Sequence, residues 1–408
     1  MTSVGQDGTG RAESEAPHSG RLDRSLVTVM AVATGLAVAN NYYAQPLLPV
    51  MGRDLHLRPG VAGLIVTVAQ VGYALGLVLL LPLGDLLERR RLVAVLSVGT
   101  GLALFWLGAS PSAAWLLPAS LTVGALSVLA QILVPFSASL APEAERGRVV
   151  GMVMSGLLIG ILLARTVAGL LAAAGTWRSV YFVAGAAMVV QGGVLGWRLP
   201  RWREANRLSY PRLIWSVAEL LRDEPVLRLR SAYGLFSFGT FSVLWTSMAF
   251  QLARRYHYSP AVIGLFGLAG AAGAVTATVA GRLSDKGHGR RSTAVATFLL
   301  VASWAALWVG GTHLVAMVVG IVVLDIGAQG VHITNQGEIY RLRPEARSRL
   351  TAAYMFVYFV GGAVGSVTSA LVYDRLGWGG VCLVGAALAA GSFLLCVAMW
   401  LRTVSFSQ

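Results

Sequence analysis

A chain of 408 residues that is 56% hydrophobic and only 12% charged, with a mean hydropathy of +0.69, lacks the charge needed to cover a water-soluble surface. The formal net charge of +14 suggests a nucleic-acid partner only until its placement is read, because the basic residues collect between apolar runs. Composition therefore excludes a soluble enzyme or a nucleic-acid-binding module and predicts an all-α integral membrane protein.

In chain order, residues 1–24 are polar and mixed in charge, as in a disordered tail. They do not form a signal peptide, since the apolar run that follows is too long and lacks a small-residue cleavage site. Apolar runs of about 20 residues, the length that crosses a bilayer, then fall at 25–50, 60–83, 92–110, 114–140, 148–173, 179–197, 229–253, 260–283, 292–311, 314–340, 349–373 and 380–401. The first carries Asn40, Asn41, Tyr42, Tyr43, Gln45, Pro46 and Pro49; amides, phenols and prolines in mid-span predict a bent helix lining a cavity. Gln70 and Tyr73 in the second run, Gln131 and Pro135 in the fourth, Trp245 and Thr246 in the seventh, and Tyr354 and Tyr358 in the eleventh add to that lining. Tyr43 and Trp245 are weaker candidates, because Tyr and Trp near span ends serve as interfacial anchors.

Two halves, 25–198 and 228–402, flank an Arg-rich segment 199–227 broken by Pro200, Pro211 and Pro225. Within it Leu213, Ile214, Val217, Leu220 and Leu221 share one helical face, so it is either an amphipathic helix on the inner leaflet or a solvated tether. Residues 403–408 form a second tail. Cys382 and Cys396 share the last run, about 21 Å apart along a helix, and read as packing residues that cannot bridge each other.

With the N-terminus inside, 25 Lys and Arg lie in or beside inner loops and tails, Arg230 being counted with the linker, and 6 in outer loops, Arg165 alone falling deep within a run. This asymmetry places both termini in the cytoplasm of a multi-pass membrane protein. Glycines at close-packing intervals, such as Gly72 and Gly76, Gly156 and Gly160, and Gly264, Gly267, Gly270 and Gly273, let helix backbones approach where lipid offers no hydrophobic drive.

Buried polar groups must be satisfied without bulk water. The tenth run reads Asp325, Gln329, His332, Asn335 and Gln336, and 325, 329, 332 and 336 share one helix face. This stripe is either the wall of an aqueous path or a helix-to-helix seam. Asp325 is the one acid deep in a span and Arg165 the one base, at matching depth by helical rise. Depth predicts that they pair across the halves and that a proton on Asp325 breaks the pair. His332 reads either as a second titrating group or as a packing residue.

Features recur about 200 residues apart. Leu83, Gly84, Asp85, Arg89, Arg90 and Arg91 are echoed by Gly281, Leu283, Asp285, Lys286, Arg290 and Arg291, Pro142-Glu143 by Pro344-Glu345, and Trp177 by Trp378. The chain thereby resembles the major facilitator superfamily over about 25–402, since both loops are similar to its G-x-L-x-D-r-x-G-R-R signature. The resemblance implies twelve transmembrane helices in two pseudosymmetric six-helix bundles, with the first, fourth, seventh and tenth helices lining a cavity. It also implies that Asp85, Arg89, Arg90, Asp285, Lys286 and Arg290 act as a gating lock, Asp85 reaching a helix of the opposite half when the transporter faces outward. In length and helix count the chain looks most like bacterial exporters of the drug–proton antiporter branch. It departs from them at Ser120, where they carry Arg, and at Ala164-Arg165, where they carry Gly-Pro.

There is no P-loop, metal-ligand spacing or Ser/His/Asp set, so no catalysis, cofactor or metal is expected. The expected function is proton-coupled export of a small amphipathic or aromatic compound by a monomer in the lipid bilayer. Transport of a hydrophilic metabolite such as a sugar or amino acid is the alternative; a membrane enzyme or a non-transporting receptor fits less well.

Overall fold

Lipid offers no partner for a free N–H or C=O, so each apolar run must close its backbone hydrogen bonds on itself. A computed structural model describes residues 23–202, 209–273, 276, 280, 283, 288–343 and 347–405, and its regular elements are helical. The first half holds α1 (Arg24–Ala39), α2 (Ala44–Asp54), α3 (Pro59–Leu79), α4 (Arg89–Ala109), α5 (Ala113–Leu126), α6 (Leu129–Leu140), α7 (Arg146–Ala174) and α8 (Trp177–Arg198). After α9 (Tyr210–Asp223), the second half holds α10 (Pro225–Arg255), α11 (Pro260–Leu265), α12 (Gly289–Gly310), α13 (Leu314–Ile339) and α14 (Arg347–Ser405). Among the described residues nine helices are long and apolar enough to cross a membrane, or ten when α1 and α2 count as one bent span. The longest breaks at Gly377 (φ 63°, ψ −155°) into two limbs, and the run expected at 260–283 is described only in part. Among the described residues eleven of the twelve expected segments are thus found as spans, and the one at 260–283 is seen as a helical start.

The breaks have local causes. Asn41 and Tyr42 donate only three residues back, to Val38 O and Ala39 O, and Pro46 has no N–H to offer the Tyr42 carbonyl. The 40° bend between α1 and α2 follows, as the mid-span prolines predict. Pro82 opens a 3₁₀ turn, Leu81–Asp85, that ends the second span. The fourth run, expected to be continuous, divides at Ser127–Val128.

Large apolar side chains such as Val95, Leu102, Val190, Val315 and Leu383 are exposed, as a surface facing acyl chains requires. Exposed Trp197, Trp215 and Trp400 lie toward the end that carries α9, the linker end. Exposed Trp115 and Trp308 lie toward the opposite, far end. Two such girdles are what tryptophan forms at membrane–water interfaces.

The internal repeat is visible in the backbone. His56 (φ 52°) and His257 (φ 56°) are the two non-glycine residues with positive φ among those described. They occupy matching turns, Leu55-His56-Leu57-Arg58-Pro59 and Tyr256-His257-Tyr258-Ser259-Pro260, at the offset that separates Trp177 from Trp378. A left-handed histidine is uncommon, so the same turn twice marks two copies of one plan. Within the first half α1 packs on α7, α3 on α5 and α4 on α8; within the second, α10 on α14, α12 on α13 and α12 on α14.

The halves meet chiefly through α3 with α14, α7 with α11, and α2 with α10, all near the far end. A Cβ on Gly63 would lie 2.2 Å from Ala370 Cβ, and one on Gly169 2.3 Å from Pro260 O. Gly264 in turn abuts the Gly169 Cα. Gly264 and Gly169 hold the positions of Gly63 and Ala370 with the halves exchanged, so one small-residue crossing is used twice.

At the linker end α9 spans the halves. It buries Leu213, Ser216, Val217 and Leu220 against α14, α10 and the 3₁₀ turn, and the Tyr210 hydroxyl donates to Leu79 O at 2.6 Å. Of the two readings of this segment the helix is observed, its apolar face packed on protein; a solvated tether is not. Leu220→Asp should detach it and lower Tm by the equivalent of about 2 kcal/mol, read by thermal unfolding in detergent.

The glycine crossings separate two kinds of contact. Gly160→Leu, where a Cβ would lie 2.3 Å from Gly35 O within one half, should destabilise by about 1–3 kcal/mol. Gly169→Leu should leave each half folded but part the far end. A cysteine replacing the buried Ile263, in a background lacking Cys382 and Cys396, would then gain reactivity toward a membrane-impermeant maleimide; unchanged labelling would contradict the assignment.

Candidate functional site

Positions 238, 241 and 245 fall on one face of α10, which sets Phe238, Phe241 and Trp245 in a column between the halves. Phe241 lies 5.6 Å from Phe238 and 5.9 Å from Trp245, centroid to centroid. Phe238 stacks on Tyr358 at 4.1 Å, and Tyr358 meets His332 at 4.8 Å. Across the halves Tyr73 packs on Phe359 at 4.2 Å, and Gln131 Nε2 donates to the Tyr73 hydroxyl at 3.4 Å.

Arg165 of α7 lies at the far end of this column, 2% exposed. Its Nε donates to Gln45 Oε1 at 2.6 Å. Its guanidinium carbon sits 3.7 Å from the Trp245 ring centroid, 4.7 Å from Tyr42 and 5.8 Å from Phe241. The Trp245 indole N–H donates to Asp325 Oδ1 of α13 at 3.3 Å. The direct Arg165–Asp325 pair expected from depth is therefore corrected to a relay with the indole between the charges. Helical rise fixes depth but not azimuth, and the Trp245 side chain of α10 stands between the two charges. The glycines after α11 make room: a Cβ on Gly267 would lie 2.9 Å from Arg165 Cβ, and one on Gly270 3.2 Å from Asp325 Oδ2.

Hydroxyls and amides seal the rest of the far end. Gln70 Nε2 donates to Ser242 Oγ at 3.1 Å, and Thr67 and Thr246 both donate to Ser366 Oγ, at 3.1 and 3.0 Å. Asn40 is buried with neither side-chain polar atom bonded, as are Gln70 Oε1 and Arg165 Nη2. Of the other expected lining residues, Asn41, Tyr42, Gln131, Gln329, His332, Gln336 and Tyr358 are half-buried, while Asn40, Gln45, Gln70, Tyr73, Asn335 and Tyr354 are buried.

On and beside the stripe of α13, His332 and Asn335 make helix-to-helix contacts. Asn335, fully buried, donates to Arg230 O at 3.0 Å and to the Tyr354 hydroxyl at 3.4 Å, so it ties α13 to α10 and α14. His332 Nδ1 lies 3.0 Å from the same hydroxyl. Arg230, counted above as a linker residue, lies inside α10 and is 8% exposed. Its Nη1 donates to Thr293 Oγ1 at 3.0 Å, and its Nη2 faces Glu338 Oε2 at 3.8 Å. Arg165 and Asp325 are thus not the only charges drawn into the bundle. Hydropathy windows hid Arg230 because it sits one and a half turns into a helix that begins at Pro225.

Of the expected gating residues, Arg89 is buried, its Nη2 3.7 Å from Asp85 Oδ1 and its Nη1 donating to Ser139 Oγ at 3.1 Å. Arg90 Nε donates to Gly196 O, and Arg290 is exposed in the first turn of α12. Asp285 and Lys286 lie outside the described residues. Sequence reasoning missed Phe238, Phe241, Phe359, Ser242 and Ser366, and ranked Trp245 too low. The aromatic spacing on α10 was the available signal.

A bundle this apolar, with buried charges shared between two repeated halves, is the architecture of a carrier. The profile of the Major Facilitator Superfamily matches residues 30–331 and 231–407. The transporter YgaY of Escherichia coli O157:H7 is 50% identical over 375 residues, covering 92% of this chain and 95% of its own. The transporter SCO4007 of Streptomyces coelicolor is 34% identical, covering 90% and 86%. Among solved structures, a bacterial homologue of the human lysosomal transporter Spinster, in an inward-facing and unoccupied conformation, superposes with a TM-score of 0.73 at 14% identity, covering 93% of this chain and 95% of that one. The chain is a multi-pass integral membrane transporter and belongs to the Major Facilitator Superfamily.

Proposed function

We propose that this transporter exports a small organic compound in exchange for protons, across a bacterial inner membrane with both termini in the cytoplasm. The observation that carries the reading is the relay Arg165–Trp245–Asp325, which joins the halves at the closed far end. On this reading the basic loops face inside, a crevice along the half-buried Tyr42, Gln131, His332 and Tyr358 opens to the cytoplasm, and the far end faces out.

The relay works as a lock. With Asp325 ionised and the crevice empty, Arg165 lies on an indole that is itself bonded to the carboxylate. A desolvated cation–π contact contributes about 2 kcal/mol, and the opposite charges add to it at low dielectric. A proton on Asp325 removes the charge that offsets Arg165. A substrate that competes for Arg165 or Asp325 breaks the same chain. Either ligand frees the far end, whereas the empty carrier stays shut, and that is the condition for exchange rather than leak. The Asp85 and Arg290 loops would close the linker end in the opposite state, acting on a monomer. The missing antiporter arginine at Ser120 fits a branch in which Arg165 takes over that task. Buried amides and charges beside the aromatic column also suit a more hydrophilic metabolite, the second reading.

In proteoliposomes an imposed pH gradient should drive substrate flux by the wild type. Asp325→Asn should lose the dependence on the gradient while substrate counterflow persists at weakened affinity; flux that still follows the gradient would remove Asp325 from coupling. Trp245→Phe keeps a ring over Arg165 but removes the donor to Asp325. It should therefore raise substrate-free proton leak several-fold, measured with an entrapped pH-sensitive dye, at little cost in Tm.

A further inference from the structure

We propose that the substrate is an aromatic α-amino acid or a close analogue, bound with its carboxylate on Arg165, its ammonium on Asp325 and its ring on the column of α10. The inference rests on the exchange cycle above and names its cargo. Arg165 carries five N–H donors, of which Nε is bonded to Gln45. Nη2 is buried without a partner, in a side chain 2% exposed. Asp325 is 4% exposed; its Oδ1 receives a single, long bond of 3.3 Å from Trp245, and its Oδ2 has no hydrogen bond among the described residues. Each charged group thus holds unused capacity next to the other.

That pairing selects against singly charged ligands. A lone anion drawn to Arg165 would approach the Asp325 carboxylate, and a lone cation drawn to Asp325 would approach the guanidinium. At low dielectric either encounter is strongly unfavourable. A molecule bearing both charges at amino-acid spacing meets an opposite charge at each end. Both charges rest on one indole: the guanidinium lies 3.7 Å from its centroid, and the carboxylate 3.3 Å from its nitrogen. The rings toward the crevice are Phe241, Phe238, Tyr358 and His332, successive pairs 4.1–5.6 Å apart. Tyr42 and Tyr358, both half-buried, leave ring surface for a planar guest, and aromatic stacking adds about 0.5–1.5 kcal/mol beyond area alone. Bound this way, the ligand engages both ends of the relay at once, which is what releases the lock.

The test is calorimetric binding to the purified full-length chain in detergent at pH 7. Each of L-tryptophan, L-tyrosine and L-phenylalanine is compared with its decarboxylated amine and its deaminated acid. At least one amino acid should bind tenfold or more tightly than both of its singly charged analogues. Asp325→Asn should narrow the gap to the acid, and Arg165→Gln the gap to the amine. An amine or acid that binds as well as its parent, or no binding by any of the three amino acids, overturns the proposal; the wild-type series decides this even if a variant fails to fold. Counterflow in proteoliposomes separates it from the cycle. Charge-selective binding with no pH-driven flux of that ligand keeps the site and sinks the exchange reading. Gradient-driven flux of another compound with no amino acid bound does the reverse.

Discussion

The structure depends on how closely α3 can approach α14 and α7 can approach α11. In lipid no hydrophobic drive pulls two helices together, so contact must come from shape. At Gly63, Gly169 and Gly264 the neighbouring atoms stand where a side chain would otherwise be. The two crossings are one contact with the halves exchanged, because each half brings the same plan. They bring α7, α10 and α13 close enough at the far end for the indole of one to stand between the charges of the others. Larger residues at these positions would separate Arg165 from Trp245 before any question of chemistry arose.

On this repeated frame the polar content is unequal. Arg165 and Ser366 stand at equivalent positions, as do Gln45 and Thr246. In one half Arg165 donates to Gln45; in the other Thr246 donates to Ser366. The same hydrogen bond is therefore charged on one side of the pseudo-twofold axis and neutral on the other. A symmetric scaffold with one charged seam can bind one ligand in one orientation, and the neutral seam need only hold and release.

Much of the fold was legible in the sequence because its causes are local or compositional. Hydropathy located the spans, Pro46 and the polar turn before it located the bend, and the Trp177/Trp378 echo located the repeat. The apolar stripe of the linker offered the α9 helix as one of two readings and set it on the inner leaflet, not on the protein surface it covers. What failed were readings of azimuth. Equal depth put Arg165 and Asp325 together, yet only packing shows that Trp245 stands between them. Arg230 was assigned to a loop because a buried cation offset by Glu338, Thr293 and Asn335 resembles any other arginine in a window average. Asn335 lies off the face that 325, 329, 332 and 336 share, and only packing shows that it turns toward Tyr354 and Arg230. The matching histidine turns at 56 and 257 were in plain view, and carry more information than the basic loops, since a left-handed histidine demands a specific backbone.

The charged seam also limits what the other state can look like. The base belongs to one half, the indole and the acid to the other, so parting the far end leaves Arg165 and Asp325 without each other. An unpaired charge at mid-membrane depth costs several kcal/mol, more than a small-residue crossing returns. The open far end must therefore be wet, or Asp325 must hold a proton or a ligand and Arg165 a ligand, whenever the halves separate there. The proposed coupling then needs no dedicated trigger. It follows from placing one charge on each body of a two-body machine and making their contact the cheapest way to satisfy both.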